Sequence, residues 1–149
     1  MKVIIDTNCL IASIPRKNPE YWLYQAFSEK IFEWVISNEI LLEYEEQIGK
    51  FYSPLTAELV LNILAIASNV SFREPFLHWG LIHEDLDDNK FVDLAISANV
   101  NYLVTNDRHF NVLKNLPFPA VNVVTLDEFR VILGRDKILI DQENPSPID

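Results

Sequence analysis

Short apolar runs recur along the chain, and each of them ends in polar residues. Such runs are typical of strands that are buried on both faces of a parallel sheet. They predict strands at 3–5, 32–36, 102–105 and 121–124, with a short extended piece at 70–72. The intervals between these strands are long enough to hold helices, so the spacing favours crossover connections over tight hairpins.

Helical patterns fill those intervals, and their starts carry capping residues. We predict helices over about 19–27, 38–50, 54–68, 89–99 and 126–133, and a loop over 73–84. The helix starts are marked by these residues: Asn18 with Pro19, Ser37, Ser53 with Pro54, and Thr125 with Glu128 as a capping box. Because strands alternate with helices throughout, the pattern favours a parallel sheet with helices on both faces.

Composition bounds the number of domains. The chain has 149 residues, of which 49% are hydrophobic, and this suits one domain with a substantial core. We expect that domain over 1–134 and a loosely ordered tail over 135–149. The longest apolar runs fall short of the ~20 residues of a membrane span, and Asp6 interrupts the first run too early for a secretory signal. The single cysteine, Cys9, excludes an internal disulfide and suits the cytoplasm.

The charge balance is acidic, with 12 Lys and Arg against 22 Asp and Glu and a formal net charge of −10. Proteins that bind nucleic acid through phosphate contacts usually carry a basic face. Three interpretations of the acidity are therefore open. The acids can serve solubility alone, they can cluster around a metal ion that supplies positive charge, or they can attract a basic protein partner.

Two carboxylates follow predicted strands directly. Asp6 comes after the run 3–5, and Asp107 comes just beyond the run 102–105. Ligands of open parallel sheets bind beyond the carboxyl ends of the strands, and Mg²⁺ takes oxygen ligands that carboxylates commonly supply. Either residue alone could instead cap a helix. Together they predict a metal site at this edge of the sheet.

Further acids lie on two of the predicted helices. Glu43 borders an apolar stripe that includes Ile40, Tyr44 and Ile48, although a carboxylate in this position could also point outward into solvent. Four acids surround the start of the helix near residue 89: Asp85, Asp87, Asp88 and Asp93. Some negative charge suits a helix N-terminus, but four acids exceed what a cap needs. A cation among them would relieve their mutual repulsion.

Three segments together resemble the motifs of the PIN-domain family. They are the opening at 3–8 (Val-Ile-Ile-Asp-Thr-Asn), the segment at 37–44 (Ser-Asn-Glu-Ile-Leu-Leu-Glu-Tyr) and the stretch 85–110, which contains Asp-Asp-Asn-Lys-Phe and Val-Thr-Asn-Asp-Arg-His-Phe. Their order and spacing agree with the family from Met1 to about Leu133. The chain is most similar to the subgroup of toxin components of toxin–antitoxin systems, the VapC-like ribonucleases.

The resemblance implies a three-layer α/β/α sandwich around a mostly parallel central sheet, with a pocket for Mg²⁺ or Mn²⁺. Four acids are implied as metal ligands and catalytic residues: Asp6, Glu43, Asp88 and Asp107. Asp93 competes with Asp88 for the third position. Asn8 and the Thr105 hydroxyl are expected to shape the pocket from behind the ligands.

The activity that the resemblance implies is metal-dependent endonucleolytic hydrolysis of RNA. Its partners would be an RNA substrate and a basic antitoxin protein, and a homodimer is left open. One alternative is a catalytically silent PIN-like module that binds RNA or an antitoxin, which the charge of −10 keeps open. A lower-ranked alternative is an aspartyl-phosphate enzyme or receiver domain, in which a second Asp is expected where Asn8 stands.

The remaining reactive side chains are interpreted structurally. Cys9 is followed by an apolar stretch and is predicted to be a small buried residue. The histidines lack the spacing of zinc ligands and are predicted to lie on the surface or in loops: His78, His83 and His109. Lys90 and Arg108 lie beside the pocket acids, where they can contact a phosphate or form ordinary salt bridges.

Overall fold

In a computed structural model of the chain, which describes residues 1–134, five strands pair into one parallel sheet. The strands are Lys2–Ile5 (β1), Glu33–Ile36 (β2), Val70–Phe72 (β3), Tyr102–Val104 (β4) and Val123–Val124 (β5). Each predicted strand is present: β3 has the predicted bounds, and each of the other strands differs from its prediction at one end by one or two residues. The tail predicted over 135–149 lies outside the described residues.

Six α-helices accompany the strands within the described part of the chain. They are Thr7–Ser13 (α1), Trp22–Ser28 (α2), Asn38–Phe51 (α3), Pro54–Ile66 (α4), Asn89–Ser97 (α5) and Leu126–Ile132 (α6). Three 3₁₀ segments supplement them at Pro19–Tyr21, Leu86–Asp88 and Arg108–Asn115. The helices cover both faces of the sheet, and the three-layer α/β/α sandwich predicted from the sequence is confirmed.

Capping chemistry sets three of the helix starts at the predicted positions. The side chains of Ser37, Ser53 and Thr125 each accept a backbone N–H from the first turn of the helix that follows. The helix predicted from residue 19 instead begins as a 3₁₀ turn, because the Asn18 side chain donates to the Ala12 carbonyl at 2.9 Å and does not cap. Its α-helical part therefore starts only at residue 22.

The strand order creates a crevice at one edge of the sheet. The order is β3-β2-β1-β4-β5, so the chain winds outward from β1 to β3 and then returns to the other side of β1. The carboxyl ends of β1 and β4 thus form a topological switch point, where crossovers leave in opposite directions and a crevice opens. Ile5 is in register with Val104, so the residues that follow these two strands are neighbours.

The core is centred on β1 and the helices packed against it. Val3, Ile4 and Ile5 are all completely buried, as continuous apolar runs in a doubly covered strand predict. Cys9 is buried as predicted. Helix α4 differs, because several of its large apolar side chains face solvent: Leu55, Leu59, Ile63 and Ile66. Within the described residues, no helix has the length and apolarity needed to cross a membrane.

Tyr44 ties helix α3 to the end of β1. Its ring is fully buried, its hydroxyl donates a short hydrogen bond to the carbonyl oxygen of Ile5, and the Trp34 indole N–H lies 3.4 Å from the same hydroxyl. Because Ile5 immediately precedes Asp6 and Tyr44 immediately follows Glu43, this bond fixes the relative position of two acids.

We predict that Tyr44→Phe lowers the free energy of unfolding by about 1–2 kcal/mol, since it leaves buried polar groups without a partner. Urea denaturation followed by tryptophan fluorescence measures the change. Tyr24→Phe is the matched control, because the structure gives the half-buried Tyr24 hydroxyl no hydrogen bond within the described residues. Equal losses in the two variants would contradict the role assigned to the Tyr44 hydroxyl.

Candidate metal centre

Asp6 lies at the end of β1 and is held by neutral donors. Its carboxylate is 6% exposed, Oδ2 accepts from the Thr105 hydroxyl at 2.7 Å, and Oδ1 accepts from the Thr7 backbone N–H at 2.8 Å. The same Thr105 hydroxyl accepts from the backbone N–H of Asp107 at 3.0 Å. Thr105 thus connects the two acids that follow the neighbouring strands β1 and β4.

Glu43 is anchored through both of its carboxylate oxygens. The Thr7 hydroxyl donates a short hydrogen bond to Oε2, and the Lys90 ammonium lies 2.7 Å from Oε1. The side chain of Lys90 is only 10% exposed, so this ion pair is shielded from water. Burial opposes the charged ammonium, but the hydrogen bond and the negative charge of Glu43 outweigh it and raise the pKa of Lys90. One acid of the cluster is therefore already matched by an internal cation.

Asp88 lies on the other side of the pocket, against His109. Its Oδ2 is 3.3 Å from the imidazole Nδ1, which also lies 3.6 Å from Oδ1 of Asp107. The opposite ring nitrogen, Nε2, is 3.1 Å from the carboxylate of Glu84. Asp85, Asp88 and His109 each present one potential ligand atom within 4.8 Å of the others.

The structure refines the prediction that His109 is a surface or loop histidine. The residue lies in a 3₁₀ segment, but its side chain is only 37% exposed and points at the pocket acids. The cause is local: Asp107 caps that segment by accepting the His109 backbone N–H at 2.9 Å, which turns the imidazole back toward Asp88. The hydrogen bond to Asp88 raises the pKa of His109, with further support from the charge of Asp107.

The carboxylate of Asp93 contacts a loop, and in this it differs from the other acids. It is 3% exposed, Oδ1 accepts from the Trp79 backbone N–H at 2.9 Å, and Oδ2 lies 3.3 Å from the imidazole of His78. Both partners belong to the loop predicted over 73–84. Its carboxylate therefore anchors this loop to α5, while Asp88 faces the other acids.

Burial and mutual repulsion make two of the pocket acids hard to ionise. Desolvation by burial, reinforced by the charges of Asp88 and Glu43, raises the pKa of Asp6 to about 6 although the Thr105 hydrogen bond lowers it. Burial likewise raises the pKa of Asp88 to about 6, with repulsion from Asp85 and Asp107, while the bond to His109 lowers it. The cluster therefore carries negative charge that the described side chains compensate only in part.

The pocket opens to solvent as a cleft of about 250 Å³ beside Asp6 and Asp107. Asn8 and Cys9 also line it, but burial raises the pKa of the Cys9 thiol to about 12, so the thiol stays protonated and is a poor nucleophile. Glu20 is a further lining residue, which accepts from the Trp22 indole N–H at 2.6 Å. Nothing in the sequence indicated Glu20, because it stands in a 3₁₀ turn without a recognisable motif.

The donor set fits a hard divalent cation. The potential ligand atoms of Asp85, Asp88 and His109 lie within 4.8 Å of one another, and carboxylate oxygens such as those of Asp85 and Asp88 suit Mg²⁺ or Mn²⁺. A bound cation would favour the ionised forms of Asp6 and Asp88, whose elevated pKa values reflect the cost of burying them. An acidic group able to hold a metal is therefore a property of the fold.

These features define an α/β domain with a carboxylate pocket at the switch point of its sheet. The PIN domain family matches residues 2–109, more than half of the chain, and the protein belongs to that family. No curated protein matches the chain significantly in sequence.

Solved structures share the fold at low sequence identity. VapBC2 from Rickettsia felis, bound to a DNA fragment from its promoter, superposes with a TM-score of 0.55 at 19% identity, covering 84% of this chain and 98% of that one. VapC20 of Mycobacterium tuberculosis, a sarcin–ricin loop cleaving toxin, superposes with a TM-score of 0.53 at 11% identity. The match covers 68% of this chain and 86% of that one. The PIN domain of Trypanosoma brucei RRP44 has a TM-score of 0.46 at 14% identity, covering 95% of this chain and 87% of that one.

The raised pKa of Asp6 predicts a pH-dependent stability. The folded protein holds the proton of the Asp6 carboxyl more tightly than the unfolded chain does. The stability that this proton contributes is therefore fully present below about pH 4 and is lost as pH rises through about 6. We predict that Asp6→Asn, which lacks the titration, gains stability relative to wild type between pH 4 and 7, by on the order of 2 kcal/mol.

Urea denaturation of both proteins in excess chelator measures this difference across the pH range. Asp127→Asn, an exposed acid on α6, is the control and should show no such trend. Mg²⁺ or Mn²⁺ should raise the Tm of wild type more at pH 7 than at pH 5, because the ion binds the deprotonated site. A stability difference between Asp6→Asn and wild type that is independent of pH would refute the buried-charge explanation.

Proposed function

We propose that this protein is a metal-dependent endoribonuclease and the toxin component of a toxin–antitoxin pair. The observation that carries the proposal is the convergence of Asp6, Asp88 and Asp107 beside the anchored carboxylate of Glu43. Membership of the PIN domain family and the shared fold with two VapC structures support it. A cytoplasmic location is part of the same proposal, since a single buried cysteine requires no oxidising compartment.

In this mechanism Asp6, Asp88 and Asp107 hold Mg²⁺ or Mn²⁺. Such an ion, when bound, supplies an activated water and stabilises the negative charge that develops on the phosphate. Thr105 orients Asp6 through its hydroxyl, and Thr7 and Lys90 hold the two carboxylate oxygens of Glu43. A proton released during hydrolysis thus has several carboxylates within reach.

RNA is the proposed substrate because of the similarity to VapC toxins. VapC20 is described as cleaving the sarcin–ricin loop, and we extend RNA cleavage, though not that target, to this chain. Asn8 is suited to a role at the pocket, because it lines the cleft next to Asp6 and its side chain makes no hydrogen bond to the described residues. We keep it, with Thr105, as a residue that shapes the site.

A second candidate function is a catalytically silent module that binds RNA or an antitoxin. The observation that favours it is the partly buried ion pair, in which the Lys90 ammonium already contacts one oxygen of Glu43. A cation in that position could replace metal at this carboxylate. The two candidates differ in one measurable respect, because only the nuclease cuts RNA.

We predict that Asp6→Asn lowers the rate of RNA cleavage by at least about 100-fold while the fold is retained, since the substitution keeps the shape and removes the charge. The assay follows a labelled RNA with Mg²⁺ or Mn²⁺, and an excess of chelator should abolish cleavage by wild type. Asp127→Asn serves as a charge-matched control with full activity. Unchanged cleavage by Asp6→Asn, or in chelator, would rule out the metal mechanism.

Mutation can distinguish the two candidates for the third metal acid, Asp88 immediately before α5 and Asp93 within it. We predict that Asp88→Asn lowers activity at least as much as Glu43→Gln, and that Asp93→Asn is milder. Because Asp93 binds the backbone of the loop at Trp79, its substitution should instead lower the Tm. An inactive Asp93→Asn beside a nearly wild-type Asp88→Asn would assign the third metal position to Asp93.

The proposed antitoxin partner is a protein with a basic segment that covers the acid pocket and places an Arg or Lys among the carboxylates. The exposed apolar side chains of α4 give such a partner a second contact area. We predict that the protein co-purifies from its native host with a protein identified by mass spectrometry, and that added partner inhibits cleavage until its basic residues are replaced by Ala. Recovery as a free species only would contradict the toxin assignment and leave the nuclease assignment intact.

A further inference from the structure

A second cleft, of about 490 Å³, adjoins the acid pocket. Asn8 and Ala12 line both of them, so the two clefts are neighbours along α1. Phe51 and Tyr52, at the end of α3, form the far wall of this second cleft. Its volume lies within the range of small-molecule binding pockets, about 300–1,000 Å³.

Phe51 offers an exposed aromatic surface in that wall. The residue is 67% exposed, although it stands at the end of a helix whose other face is packed into the core. Its ring meets Tyr52 edge to face, with centroids 4.8 Å apart, and the Tyr52 hydroxyl donates to the Ile11 carbonyl at 2.8 Å. The second ring is thereby fixed, and it supports Phe51 from one side while the rest of the Phe51 surface stays open.

Polar groups for recognition stand on both sides of this aromatic ring. The exposed Asn8 side chain makes no hydrogen bond with the described residues, and an amide pairs well with the edge of a nucleobase. The Asn18 N–H donates to the Pro15 carbonyl at 3.0 Å and closes a turn with Arg16 and Lys17 at its tip. Both cations are exposed, and the two ends of the turn, Pro15 and Asn18, line this cleft, while Arg16 also lines a neighbouring cleft with Leu10.

From these contacts we propose that the second cleft binds an unpaired nucleotide of a single-stranded RNA, with its base stacked on Phe51. Arg16 and Lys17 contact the phosphate backbone outside the cleft, and the adjoining nucleotide linkage lies over the acid pocket. The base must be unpaired to present its face to the ring, so duplex RNA is excluded from the cleft. This inference rests on the proposed nuclease function, because the cleft shares Asn8 and Ala12 with the acid pocket.

The test measures the affinity of the full-length protein for a fluorescein-labelled single-stranded RNA by fluorescence anisotropy, in an Asp6→Asn background that prevents cleavage. We expect Phe51→Ala to weaken binding by about 5- to 150-fold, the range that corresponds to removing one base–aromatic stack. Phe51→Trp should bind at least as well as the parent. Affinity for duplex RNA should not respond to either change.

Phe76→Ala is the matched control. Phe76 is 85% exposed and lines a cleft of about 510 Å³ next to Arg73, but that cleft shares no lining residue with the acid pocket. Its substitution should leave the affinity unchanged. The double variant Arg16→Gln with Lys17→Gln should bind RNA with a weaker salt dependence. The slope of the logarithm of the association constant against the logarithm of the salt concentration should fall by about 0.7 for each phosphate that these side chains no longer neutralise. Phe51→Ala should not change this slope.

The outcomes separate this inference from the proposed function. Unchanged affinity in Phe51→Ala, or equal losses in Phe51→Ala and Phe76→Ala, would overturn the stacking site, and so would a parent that binds no RNA. Metal-dependent cleavage that requires Asp6 would still stand in those cases. Loss of affinity only in Phe51→Ala, with the Tm and the circular dichroism spectrum unchanged, supports the site even if the metal mechanism fails.

Discussion

The carboxylate of Asp6 is buried at the end of a fully covered strand, and much of the site follows from the cost of placing charge there. Water reaches only 6% of this residue, and its hydrogen bonds come from neutral donors, the Thr105 hydroxyl and the Thr7 N–H. Such a carboxylate resists ionisation. The surrounding chain holds it in place through Tyr44, whose hydroxyl binds the preceding carbonyl, and through the register of β1 with β4.

The other acids of the pocket differ from Asp6 in how their charge is compensated. Glu43 is paired with the Lys90 ammonium inside the protein, and Asp88 and Asp107 share the imidazole of His109. Asp6 is therefore the acid of this group for which the described residues supply no cation. A divalent ion bound beside it would favour its ionised form.

Three parts of the surface differ in chemistry, and each suits a different kind of partner. The acid pocket suits a cation, the exposed apolar side of α4 suits a protein, and the aromatic cleft with Arg16 and Lys17 at its edge suits a nucleic acid. Specific binding by a protein of net charge −10 then depends on local charge and not on the overall sign.

The sequence by itself predicted the five strands, five of the six α-helices and the positions of Asp6 and Asp107 beyond strand ends, because hydrophobic periodicity and capping are local and ligands of a parallel sheet lie at the carboxyl ends of its strands. It did not predict the short helix α1, which follows β1 directly. The sequence could not tell which of Asp88 and Asp93 faces the other acids, since both lie near the start of the same helix. Only packing decides that the Asp93 carboxylate contacts the loop at Trp79. The pairing of Lys90 with Glu43 joins residues 47 positions apart, and the contact of His109 with Asp88 joins residues 21 positions apart. These contacts were decided by tertiary structure, because crossover connections and helix packing bring together side chains whose direction no local pattern encodes.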